Sequence, residues 1–413
     1  MIGFNPVRVQ HLAEVVNGYP FDSERFDTSN GYPLLRIRDV GADVTETRYT
    51  GEFVEAARVV PGDVVVGMDG DFKVGQWLGA EDALLNQRVA LLRTDAITAR
   101  FLLYALPQEL EAINAVTYAT TVKHLSASQI MHTTVSWPGI EGASAIADFL
   151  DRETAKIDAL IAKQHDLVAA LRDRRESAVM DAVTGHERTG PKRDSGVRWI
   201  GEVPEHWQVG NIRRYASMHS GHTPSRQVPE YWEDCTIPWF TLADVWQLRD
   251  DTQIYLGETA ERISELGLHN SSAELLPTGT VALSRTASVG FSGIMPEPMA
   301  TSQDFWNWVC GTDLLPEFLL RVLRAMRREM RSLMAGSTHQ TIYKTDAASF
   351  VIPVPPLDEQ QTIVDHLDEE LRRMDGLVDR ATALVEVLQE RRAALITAAV
   401  TGKLDVTTYG KAG

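Results

Sequence analysis

"IADFLDRETAKIDALIAKQHDLVAALRDRRESAVMDAVTG" at residues 146–185 lies without a gap on "IVDHLDEELRRMDGLVDRATALVEVLQERRAALITAAVTG" at residues 363–402. The shift is 217 positions (185 against 402), and about two positions in five are identical, which makes the match an internal repeat. Matched residues include Asp151 and Asp368, Glu153 and Glu370, Asp158 and Asp375, and the pairs Arg174–Arg175 and Arg391–Arg392. Apolar side chains recur at spacings of three, four and seven. On the first segment they are Ile146, Leu150, Ile157, Leu160, Leu167, Leu171, Ala178 and Ala182; on the second, Ile363, Leu367, Met374, Leu377, Leu384, Leu388, Leu395 and Ala399. This pattern predicts two helices, each about 55 Å long, packed antiparallel along a narrow coiled-coil stripe. Two separate surface helices, each lying on its own domain, are the alternative. Asp358 is placed to cap the second helix, with Gln361 reaching back. Gly185 and Gly402 supply the left-handed residue that commonly ends a helix.

The repeat extends upstream. "ATTVKHLSASQIMHTTVSWP" (119–138) lies on "GSTHQTIYKTDAASFVIPVP" (336–355) at the same shift. Farther back it drifts: "VVPGDVVV" (59–66) meets "LLPTGTVA" (275–282), Gln87 meets Gln303, and "PLLRIRDV" (33–40) faces "IPWFTLADV" (237–245). "RVVPGDVVVGM" (58–68), "QRVALLR" (87–93), "GTVALSR" (279–285) and "FWNWVCG" (305–311) predict short strands, and residues 99–113 and 316–334 predict helices. The fold class is therefore α+β with an internal two-fold repeat. Mixed regions at 1–138 and 197–355 alternate with long helices at 139–185 and 356–404; a polar linker occupies 186–196 and a tail 405–413.

Composition narrows the function. A chain of 413 residues with 44% hydrophobic and 23% charged residues fits a globular protein of two or three domains. No apolar run reaches the roughly 20 residues needed to span a bilayer, the N-terminal stretch lacks a basic region followed by an apolar core, and two cysteines make no disulfide framework, which suits the cytoplasm. A net charge of −17 argues against a protein coated in nucleic acid but leaves room for local basic surfaces. The chain carries no phosphate-binding Gly-rich loop, no H-E-x-x-H, C-x-x-C or G-x-S-x-G, and no metal-ligand spacing among its histidines.

Polar clusters recur at corresponding places in both copies: "DGDFKVGQW" (69–77) with Lys73 and Gln76, the Lys123–His124 step, "SGHTPSR" (220–226) with His222 and Arg226, "SRTASVG" (284–290) with Arg285 and Ser288, and "STHQTIYK" (337–344) with His339, Gln340 and Lys344. Arginine and glutamine match guanine and adenine edges, and hydroxyls suit phosphates. Arg321, Arg324, Arg327, Arg328 and Arg331 recur at helical spacing and predict a solvated basic face or a second DNA-facing surface.

"DSGVRWIGEVPEHWQV" (194–209), "SGHTPSR" (220–226), "IPVPPLDEQQTIVDHLDEE" (352–370) and "ITAAVTGKLDV" (396–406) closely resemble the specificity subunits of type I restriction–modification systems over essentially the whole chain. The resemblance implies a non-catalytic reader of double-stranded DNA whose mixed regions are two target recognition domains, reading an asymmetric bipartite site. It implies two modification subunits docked along the helices, at Asp151, Glu153, Arg174, Arg175, Asp368, Glu370, Arg391 and Arg392, and restriction subunits joining them. S-adenosylmethionine, ATP and Mg2+ would be used by those partners, with no cofactor or metal on this chain. The first helix starts from "WPGIEGASAIADFL" (137–150), without the Pro-Leu-x-Glu-Gln of the second, so contacts there are expected to differ. A coiled-coil scaffold without DNA selectivity and an independent enzyme are the rival classes; the first predicts no sequence-selective retention on DNA, the second predicts turnover by the purified chain.

Overall fold

The computed structural model describes residues 3–116, 124–333 and 341–409, and the chain divides into two compact units. Residues 1–164 and 383–413 form the first; residues 165–382 form the second. Among the described residues, no helix is long and apolar enough to cross a membrane.

In the first unit, β1 (Glu14–Asn17), β2 (Val64–Gly67), β3 (Val74–Gln76) and β4 (Val89–Arg93) form an antiparallel sheet in the order β1-β4-β2-β3. Alternate side chains enter different cores. Val64, Val66, Ala90 and Leu92 join Phe101, Leu102 and Leu106 of α1 (Ala96–Val116) and Phe149 and Leu150 of the long helix α2 (Gly139–Thr184). Val65, Val89 and Leu91 join Leu34, Leu84 and Trp77 on the other face. Burial on both faces explains why the strands read as unbroken apolar runs. The second face is covered by a small mixed sheet in which Tyr32–Leu35 runs parallel to Ala83–Leu85.

The second unit repeats this order. β5 (Ala216–Ser220), β6 (Val281–Ser284), β7 (Ser292–Ile294) and β8 (Phe305–Cys310) pair as β5-β8-β6-β7. Val281 and Leu283 pack with Phe318, Leu319 and Val322 of α3 (Pro316–Ala325), while Ala282 and Phe305 face Phe240, Val245 and Leu248. Ile237–Phe240 runs parallel to Ala300–Thr301, as its counterpart does in the first unit. The helix expected over 316–334 is two helices, because α3 ends at Ala325 with Met326 as its cap and α4 spans Arg327–Leu333. In each unit the outermost strands pair, Asn5–Arg8 with Thr134–Trp137 and Gln208–Asn211 with Val351–Val354, and deliver the chain to α2 or to α5 (Leu357–Val400). Residues 186–196, read as a linker, include Lys192–Asp194, a strand paired with Glu202–Pro204.

Segments of both long helices occur in each unit. In the first, Arg392 donates to Asp158 at 2.8 Å, and Ala399 and Val400 bury against Ile146, Phe149 and Leu150. In the second, Arg175 meets Asp375 at 3.3 Å, Arg174 meets Glu370 at 3.5 Å, and Ala178 and Val183 share a core with Ile363, Leu367 and Met374. Arg175–Asp375 and Arg392–Asp158 are one contact written in both copies. The buried seam departs from the expected stripe: Leu160, Leu167, Leu377 and Leu384 are exposed, whereas Leu371, Ala381 and Val385 are buried. A 3.6-residue helix drifts by about 20° per heptad, so a strict seven-residue pattern rotates off the contact.

The repeated glycines close these helices. Gly185 and Gly402 adopt φ of +75° and +73°, and a Cβ on them would stand 2.5 Å from Pro204 Cδ and from Phe4 Cε2 respectively. Each helix thus ends with a bare backbone against which a ring near the start of the other recognition region seats, Pro204 for the first helix and Phe4 for the second. Gly185→Ala is expected to cost about 2 kcal/mol or more, from the left-handed backbone and the overlap together. Gly139 shares a φ of +77° but has nothing within 4 Å, so Gly139→Ala is expected to cost only the backbone share, about 1 kcal/mol. Chemical denaturation midpoints of the two variants measure the difference.

The second helix start is also not capped as expected. α5 begins at Leu357, ahead of Asp358, and Gln361 bonds Asp365 at 2.8 Å. Fully buried Gln360 does the closing: its amide donates to Asp313 O (2.9 Å) and Pro355 O (2.8 Å) and accepts from Leu315 N (2.9 Å). Next to it, Glu359 lies 2.7 Å from His206 Nε2 and accepts from Trp207 Nε1 at 3.1 Å. "EVPEHW" and "PPLDEQ" therefore meet each other in space.

Candidate nucleic-acid interface

The hairpin loops that carry Lys73 and Arg285–Ser288 lie at equivalent ends of the two four-stranded sheets. In the first unit, the loop between β2 and β3 is pinned where Met68 N donates to Arg88 O (3.0 Å) and Leu125 N donates to Met68 O (2.7 Å). In the second, Arg285 N donates to Asp304 O and Ile342 N to Arg285 O, both at 2.9 Å. The bridges Asp69–His124 and Thr286–Thr341 complete the node, again 217 positions apart (69 against 286, 124 against 341). Gly70 and Ala287 occupy the same place with φ of +75° and +57°; alanine there holds a backbone that favours glycine.

Around the first node, Lys73 is exposed on the hairpin loop, and His124 Nδ1 lies 2.7 Å from Asp69 Oδ1, which Arg88 also approaches through Oδ2 at 3.1 Å. Arg88 was missed in the sequence; its signal was its place beside Gln87, which the repeat pairs with Gln303. Gln76 faces inward and donates to Gly62 O at 2.5 Å, so it stabilises its own turn. Around the second node, the Arg285 guanidinium lies 4.4 Å above the Trp306 ring, with its Nε buried and without a hydrogen-bond partner among the described residues. Ser288 is half-buried in the same loop, and Lys344 is exposed in a short helix, Lys344–Ala348. His222 is exposed, its carbonyl fixed by Trp239 Nε1 at 3.2 Å. Arg226 stacks 3.6 Å over Trp232 and pairs with Glu261. Lys123, His339 and Gln340 lie outside the described residues.

The arginine row is not a solvated face. Arg321 is 2% exposed and pairs with Asp368, and Arg324 donates to Asp251 O and Gln253 O at 2.6 Å each. Arg327 grips the Asp251 carboxylate with two bonds of 2.7 Å. Burial pushes Arg324 down to about 10. Burial alone would raise the Asp251 carboxyl, but the Arg327 hydrogen bonds and the charges of Arg324, Arg327 and Arg175 hold it below the usual range. Arg328 and Arg331 remain exposed, Arg328 pairing with Glu176. Arg324 and Arg327 turn inward because the loop at 250–253 supplies carbonyls and a carboxylate to pair with them, and Arg321 because Asp368 does.

The helix residues expected to dock partners are mostly committed within their own unit. Asp151 accepts from Tyr104 at 2.6 Å and pairs with Arg100; Glu153 pairs with Arg152 and Lys156. Asp368 and Glu370 hold Arg321 and Arg174; Arg175 also donates to Asp250 O and Asp251 O at 2.9 and 2.8 Å. Arg392 holds Asp158, and Arg391 is exposed without an ion pair among the described residues. Spacing alone could not separate a cross-helix pair from a partner-facing charge.

Comparisons with known proteins place this arrangement. The family described as "Type I restriction modification DNA specificity domain" matches residues 1–168 and 204–375. The EcoBI type I restriction enzyme specificity subunit of Escherichia coli is 39% identical over 182 residues, covering 43% of this chain and 38% of that relative. Among solved structures, a chain from work on complex assembly and conformational transition of the type I R-M system superposes with a TM-score of 0.69 at 17% identity, covering 97% of this chain and 98% of that one. The HsdS subunit from Thermoanaerobacter tengcongensis gives 0.55 at 16% identity over 97% of each chain, and both show a shared fold. With two matched regions that together span most of its length, the chain belongs to the family of type I restriction–modification DNA specificity domains.

Proposed function

We propose that this chain is the DNA-reading subunit of a cytoplasmic type I restriction–modification complex, and that it carries no catalytic site of its own. The observation that carries this reading is the doubled node, two equivalent polar loops pinned at the same end of two equivalent sheets. Two similar reading heads suit a bipartite site, and their different side chains suit an asymmetric one. The cross-helix pairs support an antiparallel coiled coil that spaces the heads. Leu160, Leu384 and Val387 in the first unit, and Leu167 and Leu377 in the second, stay exposed, and modification subunits that cover them would explain why. Those partners would bring S-adenosylmethionine, and restriction subunits would bring ATP and Mg2+ chemistry. The comparison with EcoBI covers less than half of that relative, so these partners are inferred from family membership and exposed surface together.

The purified chain with S-adenosylmethionine and DNA is expected to show no methylation; with its modification subunit, adenine methylation should occur at one bipartite sequence. Replacing residues 203–350 by the matching region of a related subunit should change one half-site only. Turnover by the chain alone, or a change in both halves, would overturn the reading.

A further inference from the structure

One residue beside each node is exposed although its backbone is clamped from both sides. In the first unit, Asn86 N donates to Leu35 O (3.1 Å), Gln87 N to Asn86 Oδ1 (2.8 Å) and Val89 N to Asn86 O (3.0 Å). Gly18 closes on this turn so tightly that a Cβ there would stand 1.9 Å from Asn86 O. In the second unit, Ser302 N donates to Phe240 O (3.0 Å), Asp304 N to Ser302 Oγ (3.3 Å) and Phe305 N to Ser302 O (3.3 Å). Gly221 closes on it in the same way, with a Cβ position 2.1 Å from Ser302 O. The residue held out on each clamp is a glutamine, Gln87 or Gln303, and both are exposed. The next residue in each case, Arg88 or Asp304, supplies the carbonyl that pins the hairpin loop.

We propose that Gln87 and Gln303 are equivalent base-reading positions, one for each half of the bipartite site, and that each recognises an adenine edge. Neither side chain is needed by the turn that carries it, since the clamps are made by backbone, Asn86 and Ser302. A fixed backbone lowers the ordering cost of contact, and a primary amide matches the donor and acceptor of adenine in the major groove. Thr223 Oγ1 donates to Gln303 Oε1 at 2.6 Å, which sets the amide so that its NH2 group faces away from the threonine. Gln87 has no such partner among the described residues, so the first position is the less constrained of the two.

The proposal rests on the DNA-reading function, and the test separates them. The chain assembled with its modification subunit is challenged with duplexes in which every base pair of the recognised sequence is varied in turn. Gln303→Ala is expected to reduce discrimination at one position of one half-site by at least about fivefold, and Gln87→Ala at one position of the other half. Thr223→Val should weaken discrimination at the Gln303 position alone. Unchanged profiles for both glutamine variants, or a uniform loss of affinity across all sequences, would overturn the proposal while leaving the function intact. A wild-type complex with no sequence selectivity would overturn the function itself.

Discussion

Replacing Asp251 by alanine is expected to destabilise the second unit by about 3–5 kcal/mol, because it leaves two poorly exposed arginines without their counter-ion. Asp251 sits at φ +61° and faces Arg327 through both oxygens, with Arg324 Nε at 3.5 Å. Its carbonyl also accepts from Arg324 and Arg175, which the substitution leaves in place. Without the carboxylate, Arg324 at 6% exposure and Arg327 at 16% keep their charges with no counter-ion. Asp251→Asn tolerates the left-handed backbone better and isolates the charge, so it should cost somewhat less. Asp250→Ala, one residue away and exposed, should cost under about 1 kcal/mol. Denaturant titration followed by tryptophan fluorescence measures all three. Because the folded carboxyl lies below its unfolded value of about 4, its contribution is complete above that pH and disappears as pH falls through the lower folded value. A loss below about 1 kcal/mol for Asp251→Ala would mean that the arginines are hydrated instead.

Four residues added after Leu171 should lengthen the first long helix by about 6 Å while returning the following side chains to within about 40° of their original direction. With DNA rising about 3.4 Å per pair, the preferred spacer between half-sites should grow by one or two base pairs, less whatever the added rotation removes, with both half-sites unchanged. Two added residues rotate the helix by about 200° and carry Arg174 and Arg175 away from Glu370 and Asp375, so assembly should fail rather than acquire a new spacing. Sequencing the methylated motif of each insertion decides the matter. An unchanged spacer in a well-assembled four-residue variant would assign the distance to the modification subunits and leave the helices as struts.

The long helices and their doubling were legible because periodicity and self-similarity survive without tertiary context. Strand order in the recognition regions was legible only as short apolar runs, since a strand buried on both faces loses the alternation that would orient it. The seam was misread where a seven-residue pattern and a 3.6-residue helix part company, at Leu160, Leu167, Leu377 and Leu384. Arg321, Arg324 and Arg327 were misread because helical spacing cannot reveal a loop near residue 251 that folds over them. Gln360 was passed over for Asp358 and Gln361, as nothing local shows that Asp313 and Leu315 arrive beside it. Arg285 and Lys73 fell at the node because hairpin loops announce themselves by flanking strands; Gln76, three residues beyond Lys73, did not face outward.

Helix ends that close on the ring at the start of the other recognition region impose an order on biosynthesis. The second unit is one continuous stretch, residues 165–382, and everything that completes it leaves the ribosome in sequence. The first unit waits: Phe4 has no Gly402 to rest on, and Phe149 has neither Ala399 nor the edge-on ring of Tyr409 at 5.0 Å, until residues 399–409 are made. Synthesis at about 5–20 residues per second leaves the N-terminal region without its closing helix for roughly ten seconds or more. During that interval its apolar faces are open to chaperones and to neighbouring nascent chains, so the half made first is the half finished last.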